Sequence, residues 1–572
     1  MPSGPVPLAL WPEAGRVALD HLGVALLDVL RQGWLYRQTL RGPITDRIAY
    51  QPDDPRPKRL EDADGYFRGR FRFEGQTVEA KQSSIFDQPA PSADYAAALH
   101  GFEWLRHLEV AGGDLARQLA IKLVNDWLRR HGRYQRPAWQ PEIIARRFIN
   151  LFAHSRFFLL NSDLMWRSKL FVSLRNQACV LARTVEDAPE GLPRLEAAAA
   201  LALAGPCLSD ARNTAAGLKF LNAEIARQIL PDGGHVSRSP ESLVHAFLIL
   251  SMVQRTLDAS NHEIEPALRS ALDRMAPMLR FFRLSDGALS VFNGGSEGDA
   301  KTIAALLVQD ETGGRPFGHA PHSGYQRLMA GRHVCLIDTG TPPPGPFSTA
   351  AHGGCLSFEF SVGPQRLVVN CGSARGVGFA YGNAWLAALR ATAAHSTLTL
   401  ADTSSAPLLG PGKVRDFLGR RLLPGPTHVE KRRNETAQGI AVDAGHNGYE
   451  ARFGIRHERH LALSPKGLVL TGVDRLIPVR SGTRASPLGF AIRFHIHPDV
   501  RVSLAQGGTS VLLKLPSGEG WRFRCGGGAL SLEESVYCGG GQVRRTEQLV
   551  IAGQTGDGPV ECAWLFEQVG GA

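Results

Sequence analysis

Leu356-Ser357-Phe358-Glu359-Phe360-Ser361-Val362 alternates apolar and polar side chains at every step. That is the pattern of a half-buried antiparallel strand, whose successive side chains point to opposite faces. Similar short runs recur downstream at 366–370, 396–400, 467–471, 490–497, 511–515 and 548–551, with Gly and Pro between them. Upstream the period is different. From about residue 92 to 284, apolar residues recur every three or four positions, as in Leu218, Leu221, Ile225 and Ile229, the spacing of one helix face. Gly205-Pro206 is expected to end the helix before that face. Ser239-Pro240-Glu241 opens another, since Ser caps free N–H groups, Pro suits the first turn and Glu complements the helix dipole. Its body, Leu243 to Leu250, is apolar nearly all round and predicts an inner helix. The period changes after the turn Asn293-Gly294-Gly295. Helices followed by strands mean two segregated layers or domains, not an alternating α/β fold.

Further toward the N-terminus, Val17, Leu22, Val24, Leu27, Val29 and Leu30 mark an amphipathic helix over 13–37. Such a helix either caps the core or lies on a membrane surface, and the sparse Lys and Arg on its polar face favour capping. Phe67, Phe71 and Phe73, then Thr77-Val78-Glu79, predict a short hairpin. The 572 residues exceed one compact core. Three regions are expected: 1–91 with the first helix and hairpin, a helical domain over 92–315, and a strand domain over 316–572.

Composition removes several function classes. Hydrophobic residues at 43% and charged residues at 21% fit a folded globular protein rather than long disorder. The longest apolar stretches, Ala197 to Ala204 and Leu243 to Leu250, fall short of the roughly 20 residues of a membrane helix, so no transmembrane segment is expected. Pro2, Pro5, Pro7 and Pro12, then Asp20 and Asp28, break up any export signal. The mature chain is expected to start near Met1 and to be cytoplasmic or cell-envelope-associated, with the periplasm as the alternative. Eight scattered cysteines without a C-x-x-C pair point to a reducing compartment. Asn293-Gly294-Gly295-Ser296-Glu297-Gly298-Asp299 lacks the lysine-serine ending of a phosphate cradle, and no nucleic-acid partner is expected. The net charge of +10 either attracts an anionic partner or reflects an arginine-rich composition.

Three segments carry a specific resemblance. Pro231-Asp232-Gly233-Gly234-His235-Val236-Ser237-Arg238-Ser239-Pro240 resembles the D-G…S-P segment of the heparinase II/III-like polysaccharide lyases. His352-Gly353-Gly354-Cys355-Leu356-Ser357-Phe358-Glu359, followed by Val369-Asn370-Cys371-Gly372, resembles their H-x-D-x-L-S-F strand and V-D-x-G. Arg390-Ala391-Thr392-Ala393-Ala394-His395-Ser396-Thr397 is similar to their R-x-T-x-A-H-N-T. The resemblance implies a multidomain α+β chain: an N-terminal (α/α) toroid, then a C-terminal antiparallel β-sandwich. It also implies β-elimination at a uronic acid of an acidic polysaccharide, in a cleft between the two. There a base removes the proton beside the carboxylate, a neutraliser steadies the carbanion, and an acid protonates the leaving oxygen.

The sequence departs from that family at its reactive positions. Ser242 stands where the tyrosine follows the S-P pair, Ala350 replaces the first histidine of H-x-H, and the usual asparagine is lost within Gly191-Leu192-Pro193-Arg194. Either the chemistry has moved to other residues, or the scaffold binds or assembles glycan without it; a glycoside hydrolase on the same scaffold is a further alternative. For a relocated elimination, Arg238 is the expected carboxylate clamp, with a surface salt bridge as its alternative. His235 and His352 are expected to exchange protons, because imidazole titrates near neutrality, with a loop histidine that caps the turn at Ser239 as the alternative for His235. Tyr449, in Gly445-His446-Asn447-Gly448-Tyr449, either supplies the missing phenol or packs. Asn293, Glu297, Tyr325 and Arg390 are the expected substrate-binding residues. His352, Asn370 and His395 match positions that hold a structural metal in some relatives. Two imidazoles suit zinc, whereas Asn370 offers a neutral amide in place of a carboxylate. A hydrogen-bonded core cluster is the alternative, and no other cofactor is expected.

Overall fold

The structure is a computed structural model that describes residues 7–160, 162–308, 314–374, 381–479 and 487–570. The chain divides into two compact units. One, Pro12–Ile229 with His245–Asp273, is helical; the other, Met1–Trp11, Leu230–Val244 and Arg274–Ala572, holds the large sheets. The expected order of helices, then antiparallel sheets, is what forms. The units are not cut at residue 315, however: Leu230–Val244 and the chain from Arg274 onward belong with the sheets.

In the helical unit, Leu192–Leu208 and Ala211–Gln228 form a tight helical hairpin. Ser209 turns the chain at φ 56°, and the Asp210 side chain caps the second helix by accepting from Arg212 N. Gly205-Pro206 does not end the first helix, which continues to Leu208. These residues serve contact instead: a Cβ on Gly205 would stand 1.9 Å from Thr214 Oγ1, and one on Gly217 would stand 2.2 Å from Ala202 N. The hairpin Arg70–Phe73 with Gln76–Glu79 forms as expected, and Tyr66 stacks on Phe71 at 5.1 Å.

The N-terminal helix Leu10–Gln32 is amphipathic in the opposite sense from that expected. Its buried residues are Ala14, Asp28 and Arg31, while Leu19, Leu22, Leu26, Leu27, Val29 and Leu30 are exposed. Charged groups attach it. Arg31 donates to Asp187 at 3.0 Å, and Asp28 accepts from Tyr134 at 2.5 Å and from Arg136. Because these polar contacts fix the inward face, the leucines are turned to solvent, and the helix does not cap a core. No helix among the described residues is long and apolar enough to cross a membrane.

Two sheets make the sandwich, and every strand pairing among the described residues is antiparallel. One runs from the edge strand Arg501–Ala505 through Val560–Val569 and Val469–Pro478 to Val429–Thr436. The other runs from Ala529–Tyr537 through Gly489–Ile496 and Phe358–Val362 to His319–Ala320. Phe358, Phe360, Phe494, Trp521, Phe523, Trp564 and Phe566 fill the space between them. Within this apolar layer Arg459 pairs with Asp474 (2.9 and 3.0 Å) and donates to Leu356 O and Ser396 O, both at 2.8 Å. One guanidinium thus links a strand of the first sheet to loops entering strands of the second.

Gly217→Val should overpack the helical hairpin and cost about 1–3 kcal/mol, read as a lower urea midpoint for loss of helical circular dichroism.

Candidate functional site

The segment Leu230–Val244 positions the first candidates. Leu230 N donates to Gly234 O at 2.8 Å, and Asp232 caps the facing turn by accepting from His322 N and Ser323 N at 2.9 and 2.6 Å. Gly233 needs its φ of +87°, because a Cβ there would meet Arg274 O at 2.0 Å. His235 is buried in this turn: its Nδ1 accepts from Ser237 N at 3.1 Å and bonds Ser237 Oγ at 2.7 Å. Burial pushes its pKa down to about 3.

Arg238 takes the left-handed conformation, φ 58°, which costs a non-glycine residue roughly 1–3 kcal/mol unless its surroundings hold it. They do. Nε donates to Ser323 O at 2.8 Å, Nη1 to Thr341 O at 2.8 Å, and Nη2 to Gly324 O at 3.3 Å and to the Asp338 carboxylate. The guanidinium lies over the Tyr325 ring at 4.8 Å. Two glycines make room for it: a Cβ on Gly340 would stand 2.4 Å from Nη2, and one on Gly324 would meet Gly340 Cα at 2.6 Å. Burial alone would lower the Arg238 pKa, but Asp338 beside it holds the charge in place and raises it.

Asn293 and Tyr325 join the same cluster. Tyr325 donates its hydroxyl to Arg238 O at 2.7 Å and accepts from Asn293 Nδ2 at 2.7 Å. Burial pushes the Tyr325 phenol pKa up. Sequence reasoning missed Asp338, the centre of this group. Its signal was there: a single carboxylate ends the apolar strand His333–Asp338, and a buried charge there requires a cation.

The second group lies beside it. His352 N approaches Asn293 Oδ1 at 3.5 Å, and its Nδ1 lies 3.1 Å from His395 Nε2. His395 Nδ1 donates to Ala391 O at 2.8 Å, so in the neutral ring its Nε2 accepts from His352 Nδ1. Their burial favours the neutral form of both rings. Burial, with the neighbouring His395 and Arg390, holds His352 well below its ordinary pKa, and burial lowers His395 to about 4. Arg390 props this loop by donating to Ala351 O and Ser348 O at 2.9 and 3.0 Å.

Asn370 is fully engaged. Its Oδ1 accepts from Ser396 N at 3.0 Å and its Nδ2 donates to Val291 O at 3.2 Å. Zinc would need donors with lone pairs free to point at one centre. Here two neutral imidazoles bond each other, and the amide is occupied at both ends. Among the described residues no group of three or more His, Cys, Asp or Glu gathers for a metal. The hydrogen-bonded core cluster fits these residues; the zinc site does not.

The remaining candidates stand elsewhere. Tyr449 is 1% exposed and donates its hydroxyl to Leu398 O and Thr403 O at 3.0 and 3.3 Å, so it packs. Glu297 accepts from Tyr537, away from the Arg238 cluster. The structure thus brings Arg238, Asn293, Tyr325 and His352 together, but the expected clamp is an internal ion pair and the expected phenol is a packing residue.

The buried neutral histidines predict acid lability. His235 and His395 have folded pKa values of about 3 and 4, below the ordinary 6.5, so the unfolded chain binds protons that the folded chain refuses. Their stabilisation is complete above pH 6.5 and is lost as pH falls from there toward 4. The loss is about 1.4 kcal/mol per histidine per pH unit. Unfolding free energies from urea titrations between pH 7.5, about a unit above the ordinary value, and pH 4.5, still within the sloping region, should fall with that slope, and less steeply in His395→Gln.

Comparison with known proteins agrees with this architecture. Residues 312–565 match the family model described as heparinase II/III-like, C-terminal. Heparinase III superposes with a TM-score of 0.71 at 15% identity, covering 98% of this chain and 92% of that one. A heparan sulfate lyase HepC mutant from Pedobacter heparinus gives 0.62 at 18% identity, covering 95% and 88%. FtsZ-localized protein C of Caulobacter vibrioides is 32% identical over 528 residues, 91% of this chain and 90% of that protein. With a toroid-and-sandwich fold, the D-G…S-P turn and the His352 segment leading into the strand Phe358–Val362 all in place, the chain belongs to the heparinase II/III-like family.

Proposed function

We propose that this chain is a non-catalytic member of its family, a scaffold that assembles at the surface of the cell envelope. The observation that carries this reading is the state of Arg238: all three of its side-chain nitrogens donate to groups within its own unit. Elimination requires a cation available to the substrate carboxylate, together with a base and an acid. The phenols of Tyr325 and Tyr449 are buried and hydrogen-bonded, and burial raises both pKa values. Ser242 and Ala350 replace two of the family's reactive side chains.

The 32%-identical relative is named for its localisation with FtsZ, not for a reaction, which favours an assembly role. The N-terminal helix supplies a surface for it. Leu19, Leu22, Leu26, Leu27, Val29 and Leu30 are exposed, with Trp11 and Trp34 exposed near its two ends. Isolated exposed leucines are ordinary, but a continuous stripe on one helix marks an interaction surface. Tryptophans at the ends and exposed Arg16, Arg37 and Arg41 around it suit the headgroup region of an anionic membrane, with the helix lying in the plane of the interface.

Two measurements test this. The full chain should float with phosphatidylglycerol-containing vesicles, and Leu22→Glu with Leu26→Glu should reduce binding by about tenfold or more. Uronate polymers incubated with the chain should yield no unsaturated product absorbing in the near ultraviolet. Sustained formation of that product would overturn the non-catalytic reading, and vesicle binding indifferent to the leucines would overturn the envelope placement.

A further inference from the structure

Apart from its N-terminal helix, the helical unit exposes a second group of large apolar side chains. Leu115, Leu160, Leu164 and Met165 are each 65–74% exposed. Leu115 lies in the first turn of the helix Gly113–His131, Leu160 follows the short helix Ser155–Leu159, and Leu164 and Met165 begin the helix Leu164–Thr184. Fixed contacts hold these segments together. Arg117 donates to Asp114 at 2.6 Å and to Leu160 O at 3.1 Å, and Asp163 caps the last helix by accepting from Trp166 N at 2.9 Å. The buried Phe158 meets the half-buried Trp166 edge to face at 6.3 Å. Single exposed leucines are ordinary, but a gathered group of this size marks an interaction surface.

The free charges beside it have one sign. Arg156 precedes Leu160 by one helical turn, Lys169 follows Met165 by one, and Lys122 follows Leu115 by two. All three are exposed, and among the described residues none of them is in an ion pair. The acids nearest in sequence, Asp114 and Asp163, are already engaged by Arg117 and by Trp166 N. A second copy docked about a two-fold axis would set each cation against the same cations of its mate, which opposes the contact. An anionic bilayer suits both parts. The apolar tips enter the boundary between headgroups and acyl chains, and the long basic side chains stay among the phosphates.

We propose that Leu115, Leu160, Leu164 and Met165, with Lys122, Arg156 and Lys169, form a second contact with an anionic lipid surface. It deepens the envelope reading above and rests on it. Both contacts belong to the same pair of helices. Tyr134 and Asp187, which hold Asp28 and Arg31 of the N-terminal helix, lie just past the last turns of Gly113–His131 and Leu164–Thr184, and the tips stand at their first turns. The 19 residues of the first of these helices separate the two contacts by about 28 Å. Two footholds that far apart fix how the unit is turned toward the bilayer, which one helix in the interface does not, and the first to bind raises the effective concentration of the second.

Flotation of the full chain tests this, with vesicles of phosphatidylglycerol mixed with phosphatidylcholine and with phosphatidylcholine alone. Leu164→Glu with Met165→Glu should reduce binding to the mixed vesicles by about fivefold or more, and Arg156→Glu with Lys169→Glu should do the same. Acidic residues suit the first turn of a helix, and an unchanged melting temperature confirms that the fold is intact. Binding that falls with Leu22→Glu and Leu26→Glu but not with the tip variants would overturn the second contact and leave the N-terminal helix standing. The reverse pattern would keep the second contact and remove the helix. Equal flotation with phosphatidylcholine alone would overturn the proposal. So would a parent chain that is dimeric by light scattering without lipid and monomeric with Leu164→Glu and Met165→Glu, because the tips would then be covered by a second copy.

Discussion

The Arg238–Asp338 ion pair is the contact on which the candidate site depends. It ties the turn after Leu230 to the strand His333–Asp338, and it keeps Arg238 at a φ of 58° that few arginines adopt. Around it the requirements interlock. Gly324 and Gly340 must lack side chains for the guanidinium to lie flat, and Tyr325 must be in place to receive its face and accept from Asn293. Removing either charge would leave the other buried without a partner, which is far costlier than never having buried the pair.

The same logic recurs at two other places. In the sandwich core, Arg459 with Asp474 carries charge into an aromatic layer and binds backbone oxygens at the entry to the opposite sheet. On the N-terminal helix, Asp28 and Arg31 are turned inward and the leucines outward. Polar groups make the internal joints there, and the apolar side chains are exposed. A fold shared with heparan-cleaving enzymes is compatible with a different task, because function resides in the side chains a fold presents rather than in the fold.

The alternation at Leu356–Val362 and the three- and four-residue spacing upstream made the two kinds of architecture legible, since periodicity separates strand from helix; the half-buried strand expected there is instead buried on both faces over Phe358–Val362, with Glu359 and Ser361 enclosed as well. The turn at Asn293 was legible for the same reason. Other features were not. Gly205-Pro206 looked like a helix end, yet Gly205 is there to admit Thr214 from the next helix, a tertiary requirement no local pattern reveals. The leucines of residues 19–30 showed amphipathicity but not its direction, which Asp187, Tyr134 and Arg136 decide from distant parts of the chain. Arg238 was recognisable as important, but its role turned on Asp338, one hundred positions away.

A double-mutant cycle on Arg238→Met and Asp338→Leu, read from urea unfolding of the full chain, tests the central claim most directly. The buried pair predicts that each single replacement destabilises by about 3–5 kcal/mol and that the double replacement costs clearly less than their sum. An Arg238→Met chain as stable as the parent, or two effects that simply add, would mean that this guanidinium is free for a substrate.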